Sequence, residues 1–283
     1  MTRSIVAWFS DSHAGNRFGL MRPGIELLGE DNETFWSPAP TATQRLLWGY
    51  YEEDVAWIAD YAKGDRIILV HNGDLTDGTK YPTEKVSTRQ LDQYMIAVDN
   101  LLPWFALPNL AALRLTLGTA AHNMGEGTAE GVVCEHLKAK YPAKNVGTVA
   151  HGLLNVDGRR FDYAHHGPGP GSRQWLRGNI LRYYTRSMML EELLHGNRPP
   201  DVVARSHYHD FVHETVRLDG KEEYVTEAFV LPAYCGMTEH SRQATKSVPR
   251  ISCGMVACEV VDGRLRDFAP RVRTIDLRRE ETL

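Results

Sequence analysis

Two short patterns place ion-binding side chains two residues apart: Asp11-Ser12-His13 and His207-Tyr208-His209. In extended chain, residues i and i+2 lie on one face, so both side chains of either pair can approach a single ion. Between the pairs stand Asp74, preceded by Gly73, the segment from Thr119 to His122, and the doublet His165-His166. One such histidine is more often structural than a ligand, but five ordered clusters carry more weight. Carboxylate and imidazole donors without thiolate suit Mn, Fe, Zn, Co or Ni, and two aspartates with four or five histidines exceed one tetrahedral ion. The donor set therefore asks for two divalent ions. Such a pair, about 3.5–4 Å apart, clamps the attacking and leaving oxygens of a phosphoryl displacement. Asp74 is the expected bridge, because it is central in motif order and Gly73 lets the backbone turn tightly before it.

The elements that must deliver these residues are legible around them. Apolar runs at 4–10, 67–70, 113–117, 160–164 and 201–206 each stop abruptly at one of the clusters, as buried strands with polar C-terminal ends would. Helical spacing predicts helices over 41–63, with Gly64 as C-cap, and over 88–105, 128–140 and 174–194. Strands alternating with helices imply a mainly parallel sheet whose chemistry lies beyond the strand C-termini. Past residue 147 the texture changes to hairpins, with 147–156 turning at Asp157-Gly158 into 160–164. Successive antiparallel strands follow at 211–218, 224–230, 254–261 and 265–275, with turns at Asp219-Gly220 and Asp262-Gly263. Two packed sheets with helices outside, in one domain over 1–283, is the expected architecture.

The ordered motifs resemble those of the calcineurin-like metallophosphoesterases, D-x-H, G-D-x-x-D, G-N-H-D/E, H and G-H-x-H. They stand here as Asp11-Ser12-His13, Gly73-Asp74-Leu75-Thr76-Asp77, Gly118 to His122, His165-His166-Gly167 and His207-Tyr208-His209. The resemblance implies an α/β fold, a four-layer α/β/β/α sandwich. It also implies a hydroxide bridging two metal ions, manganese favoured, that hydrolyses a phosphodiester or phosphomonoester, with a nucleotide or nucleic acid among the candidate substrates. By motif position Asp11, His13 and His209 would hold one ion, Asp74 would bridge, and His207 with His165, preferred over His166, would hold the other.

The third motif departs from the pattern: Thr119 follows Gly118 where Asn is usual, and His122 comes two residues late, before Asn123. His122 is the expected proton donor to the leaving group, with a replacement-ligand role as the alternative; Thr119 and Asn123 also compete to replace the Asn. The departure keeps open a catalytically impaired metal-binding scaffold. Ser206 stands where the fifth motif has Gly. Asn16, Asn72 and Arg173 are candidate substrate contacts, Asp77 a candidate orienter of a ligand histidine, and 15–41 a candidate pocket wall.

Composition bounds the rest. The chain has 283 residues, 42% hydrophobic and 24% charged, and 32 basic against 36 acidic residues give a net charge of −4. This balance lacks the general attraction used by non-specific polyanion binders. No apolar run approaches the ~20 residues that cross a bilayer, and no secretory leader is evident, so a cytoplasmic protein without membrane contact is expected. The four cysteines form no CxxC pair and read as free, mostly buried thiols.

Overall fold

The strand β1 (Arg3–Phe9) alternates strictly between two interiors. Ile5, Ala7 and Phe9 enter a core shared with helices, while Val6 and Trp8 enter a second core shared with another sheet. A strand buried on both faces in this way must sit inside a layered sandwich. The computed structural model describes residues 2–80, 82–122, 128–171, 173–220, 222–238, 241–242 and 249–282.

After β1 come β2 (Leu27–Leu28), β3 (Phe35–Trp36), helix α1 (Ala42–Ala62), β4 (Arg66–His71), α2 (Gln90–Phe105), β5 (Leu110–Thr116), α3 (Ala129–Lys140) and β6 (Asn145–Val149). The second half holds β7 (His151–Val156), β8 (Arg159–Ala164), α4 (Asn179–Leu194), β9 (Val202–Arg205), β10 (Val212–Asp219), β11 (Glu223–Val230), β12 (Arg250–Val261) and β13 (Arg264–Asp276). The first sheet has the order β13-β12-β1-β4-β5-β6, with β1, β4, β5 and β6 parallel and β12 and β13 antiparallel. The second has the order β10-β11-β9-β8-β7, with only β11-β9 and β9-β8 parallel.

Helices α1, α2 and α3 cover the outer face of the first sheet through Leu47, Ile58, Ile96, Trp104, Val133 and Leu137. Between the sheets, Trp8 packs on Phe161 and edge-on against Phe229, with ring centroids 5.6 and 5.5 Å away. Leu181 of α4 packs on Val203, Val212 and Ala228 of the second sheet. The four layers α/β/β/α follow from these contacts.

Several expectations are corrected. The run 147–156 is not one hairpin arm: β6 extends the first sheet, and the chain crosses at Ala150 so that β7 pairs with β8 in the second. The helix expected from residue 174 begins at Asn179, after a single 3-10 turn at Gln174–Leu176 and Gly178 at φ +84°. At the end of α1, Lys63 itself adopts the left-handed cap, while Thr41 and Gln44 close the other end as a capping box. The segment 15–41 is not irregular throughout, because β2 and β3 pair and Leu20, Met21, Ile25 and Leu27 join the core. It shares with 82–92 a cleft of about 410 Å³ lined by Trp36, Lys85 and Arg89. No helix among the described residues is long and apolar enough to cross a membrane.

Candidate metal centre

The register that pairs Phe9 with His71 aligns the ends of β1 and β4. Hydrogen bonding continues past both strands, with Asp11 N donating to Gly73 O at 3.0 Å and His13 N to Asp74 O at 3.1 Å. Gly73 must be glycine, since its φ is +98° and a β-carbon would lie 2.4 Å from His165 Nδ1. A β-carbon on Gly118 would lie 2.3 Å from the Asp74 carboxylate.

Asp11, His13, Asp74, His207 and His209 all have φ between 44° and 78°, which makes them five of the nine non-glycine residues with positive φ among those described. Such conformations are costly for ordinary side chains and gather where function holds them.

Four strand ends, those of β1, β4, β8 and β9, bring the expected ligands together. Asp11 Oδ1 lies 3.3 Å from His209 Nε2 and 4.0 Å from His13 Nε2, and these two Nε2 atoms lie 3.3 Å apart. Asp74 Oδ2 lies 3.0 Å from His165 Nε2 and 3.9 Å from His207 Nδ1. Asp11, Asp74 and His165 also form one group whose ligand atoms all lie within 4.8 Å of one another.

Outer partners set the rings. His13 Nδ1 donates to Asp77 Oδ1 at 3.0 Å and His165 Nδ1 to the Asn72 carbonyl at 2.8 Å, which turns each Nε2 inward. Burial opposes charge on His165, but Asp11 and Asp74 outweigh it and push its pKa up to about 9. Burial alone would raise the Asp74 carboxyl, yet His165 and His207 hold it well below the usual range. Of the doublet, His165 is buried against Asp74 and His166 is exposed.

At the third motif Thr119, one of the two expected replacements for the Asn, reaches the cluster. Thr119 N donates to Asp74 Oδ1 at 2.6 Å, and Thr119 Oγ1 lies 3.2 Å from Asp74 Oδ2, 3.3 Å from His165 Nε2 and 3.2 Å from His207 Nδ1. A hydroxyl oxygen thus occupies the middle of the second half of the cluster. Asn123 lies outside the described residues.

His122 does not have the geometry of a proton donor. Its Nδ1 donates to the Asp77 carbonyl at 3.0 Å, its Nε2 faces Asp74 Oδ2 at 3.6 Å, and burial, reinforced by His13, pushes its pKa down to about 3. A neutral ring donating from Nδ1 offers a lone pair at Nε2, not a proton.

The expected substrate contacts fare differently. Asn16 is 1% exposed, with its amide donating to Asp77 Oδ2 and its oxygen accepting from Phe18 N. Asn72 is fully buried and its amide donates to the Ala164 carbonyl and to Ser206 Oγ. Both brace the centre and neither reaches solvent. Ser206, rather than crowding the site, uses its hydroxyl to bond the Asn72 carbonyl at 3.0 Å, tying the two sheets together. Arg173 is exposed on the loop after His165-His166, which is tethered where Tyr208 Oη donates to Gly167 O at 3.3 Å.

Three contributors carried no sequence signal. Lys85, with a side chain almost wholly buried, pairs with Asp77 behind His13, and burial pushes its pKa down to about 8. Glu130 accepts from Leu75 N at 3.4 Å, just after Asp74. Cys235 lies with His13 and His209 in a group whose ligand atoms fall within 4.8 Å of one another. The other three cysteines are also free and buried.

The donor set fits a pair of divalent ions. Asp11 Oδ1 is buried without a hydrogen-bond partner among the described residues, and imidazole nitrogens face each other and two carboxylates at contact distance. Such orphaned groups are costly unless something binds them.

No family model matches the chain, and no curated protein matches it. Similar solved structures include a predicted phosphoesterase from Streptococcus pneumoniae, 10% identical over 98% of this chain and 99% of that one, with a TM-score of 0.37. An archaeal phosphodiesterase is 11% identical over 96% and 99%, at 0.39, and a metallophosphoesterase from Sphaerobacter thermophilus 12% identical over 94% and 87%, at 0.32.

Proposed function

We propose that this chain, acting as one domain, is a calcineurin-like, metal-dependent phosphoesterase with two divalent ions. The observation that carries the reading is the convergence of Asp11, His13, Asp74, His165, His207 and His209 from four strand ends onto one largely buried cluster. When bound, the two ions would supply Lewis-acid activation of water and neutralise charge on the phosphoryl group.

The chain's own residues do the remainder. Asp11, His13 and His209 would hold one ion and His165 and His207 the other, with Asp74 shared between them. Asp77 and the Asn72 carbonyl keep the His13 and His165 rings in the Nδ1–H form, so that each presents a lone pair inward. His122 presents Nε2 toward Asp74 as an accessory ligand. On the rim, His166 is exposed, with its ring centroid 4.7 Å from that of His207. Arg173 is the rim cation available to a phosphate oxygen.

The test is hydrolysis of bis(p-nitrophenyl) phosphate by chelator-stripped protein before and after Mn²⁺ or Zn²⁺ is restored. Recovery of turnover with metal is expected. Full metal loading without turnover on this diester or on p-nitrophenyl phosphate would replace the enzyme with a metal-binding scaffold, the reading favoured by the Thr119 hydroxyl standing where an Asn is usual.

A further inference from the structure

The strand-end motifs supply only nitrogen and oxygen donors, yet a sulfur lies among them. After β11 the segment 231–236 runs back beneath the centre and is pinned at four points. Leu231 N donates to Arg205 O at 2.7 Å, Ala233 N to Ser252 O at 3.1 Å, Tyr234 N to Ser10 O at 3.3 Å and Gly236 N to Phe18 O at 2.8 Å. One of these four acceptors, Ser10, immediately precedes the Asp11-Ser12-His13 turn, and another, Phe18, lies five residues beyond it. Leu231, Ala233, Tyr234 and Cys235 are all fully or almost fully buried, so the cysteine is held in place.

Its Sγ lies within 4.8 Å of ligand nitrogens of both His13 and His209. Among the described residues its thiol makes a weak hydrogen bond to the neighbouring Gly236 carbonyl at 3.4 Å. An independent observation points to the same spot. Asp11 Oδ1, wholly buried and without a hydrogen-bond partner among the described residues, is directed at His209 Nε2, 3.3 Å away.

We infer that Cys235 is a thiolate ligand of the ion held by Asp11, His13 and His209, making that position selective for zinc, cobalt or iron(II) over manganese. The inference rests on the dinuclear reading above and deepens it. As the metal–sulfur bond forms, the thiol proton passes to solvent and no electron changes hands. Thiolate is the softest donor a protein offers and shifts preference along the divalent series, so one sulfur separates two positions that the motifs alone leave alike.

The test uses the full-length, chelator-stripped protein titrated with Co²⁺ and followed by absorption. The expected result is an intense near-ultraviolet thiolate-to-cobalt charge-transfer band alongside the visible ligand-field bands. Cys235→Ser should lose the first and keep the second, and should bind zinc over manganese with a preference reduced by at least roughly tenfold. Ligand-field bands without charge transfer in the wild type would overturn the inference and leave the dinuclear reading standing, a result that does not depend on the variant folding. An unchanged charge-transfer band in a folded Cys235→Ser would also overturn it. Failure of the wild type to bind cobalt at all would overturn both readings.

Discussion

The two halves of the centre are built on different supports. Behind His13 stands a carboxylate, Asp77, itself held by Asn16 and the buried Lys85; behind His165, among the described residues, stands the Asn72 carbonyl. A carboxylate strengthens the imidazole as a donor more than a carbonyl does. The first half also gathers Asp11, His209 and the Cys235 sulfur, whereas the second offers the neutral Thr119 hydroxyl at its middle. The difference teaches that the halves should load unequally, the first tightly and the second weakly, around one shared carboxylate.

Removing what the halves share breaks the comparison altogether. Asp74→Asn is expected to bring hydrolysis to background and metal content from two ions toward none, by activity assay and elemental analysis of dialysed protein; full loading with retained turnover would refute the bridge.

Proton occupancy separates the halves next. In metal-stripped protein the folded pKa of His165 is raised to about 9 from about 6.5. Its stabilising contribution is fully present below pH ~6.5 and is lost as pH rises through about 9, up to about 3 kcal/mol as an order of magnitude. Denaturant midpoints should therefore fall from pH 6.5 to 9.5, and His165→Gln should flatten that slope. His122 has the opposite sign, with its folded pKa lowered to about 3, so its contribution is lost as pH falls below ~6.5.

Asp77→Asn should weaken the first half alone, by about 10–100-fold in metal affinity or activity. Equal losses at both positions, read by isothermal titration, would contradict the division. The smallest change sharpens the second half: Thr119→Asn supplies an amide oxygen and should tighten the weaker ion roughly tenfold, a step of about 1.4 kcal/mol. No difference would mean that the hydroxyl already serves as well as the amide.

The motif positions were legible because each polar cluster follows a buried apolar run, the two packed sheets because strand–helix alternation gives way to hairpins, and the four-layer order through the resemblance of the motifs. The crossing at Ala150 was hidden, since both flanking runs look like strands and nothing in either says which sheet it joins. Gly178 is a helix breaker that the surrounding periodicity masked. Asn16 and Asn72 looked like substrate contacts from their place beside ligands, but the outcome turned on burial, which a loop sequence does not reveal. Lys85 and Cys235 lie at no motif spacing and become visible only when distant segments fold onto Asp77 and His13.

The place of β1 in the strand order bears on how the chain is made. Its neighbours are β4 on one side and β12 on the other, and the ion pair between Arg3 and Glu259 spans 256 residues. One edge of this apolar strand therefore stays open until residues 250–261 are present to pair with it. An unpaired hydrophobic edge invites pairing with other chains. The seam of the first sheet is thus closed only by residues 250–261, the segment farthest in sequence from the strand it covers.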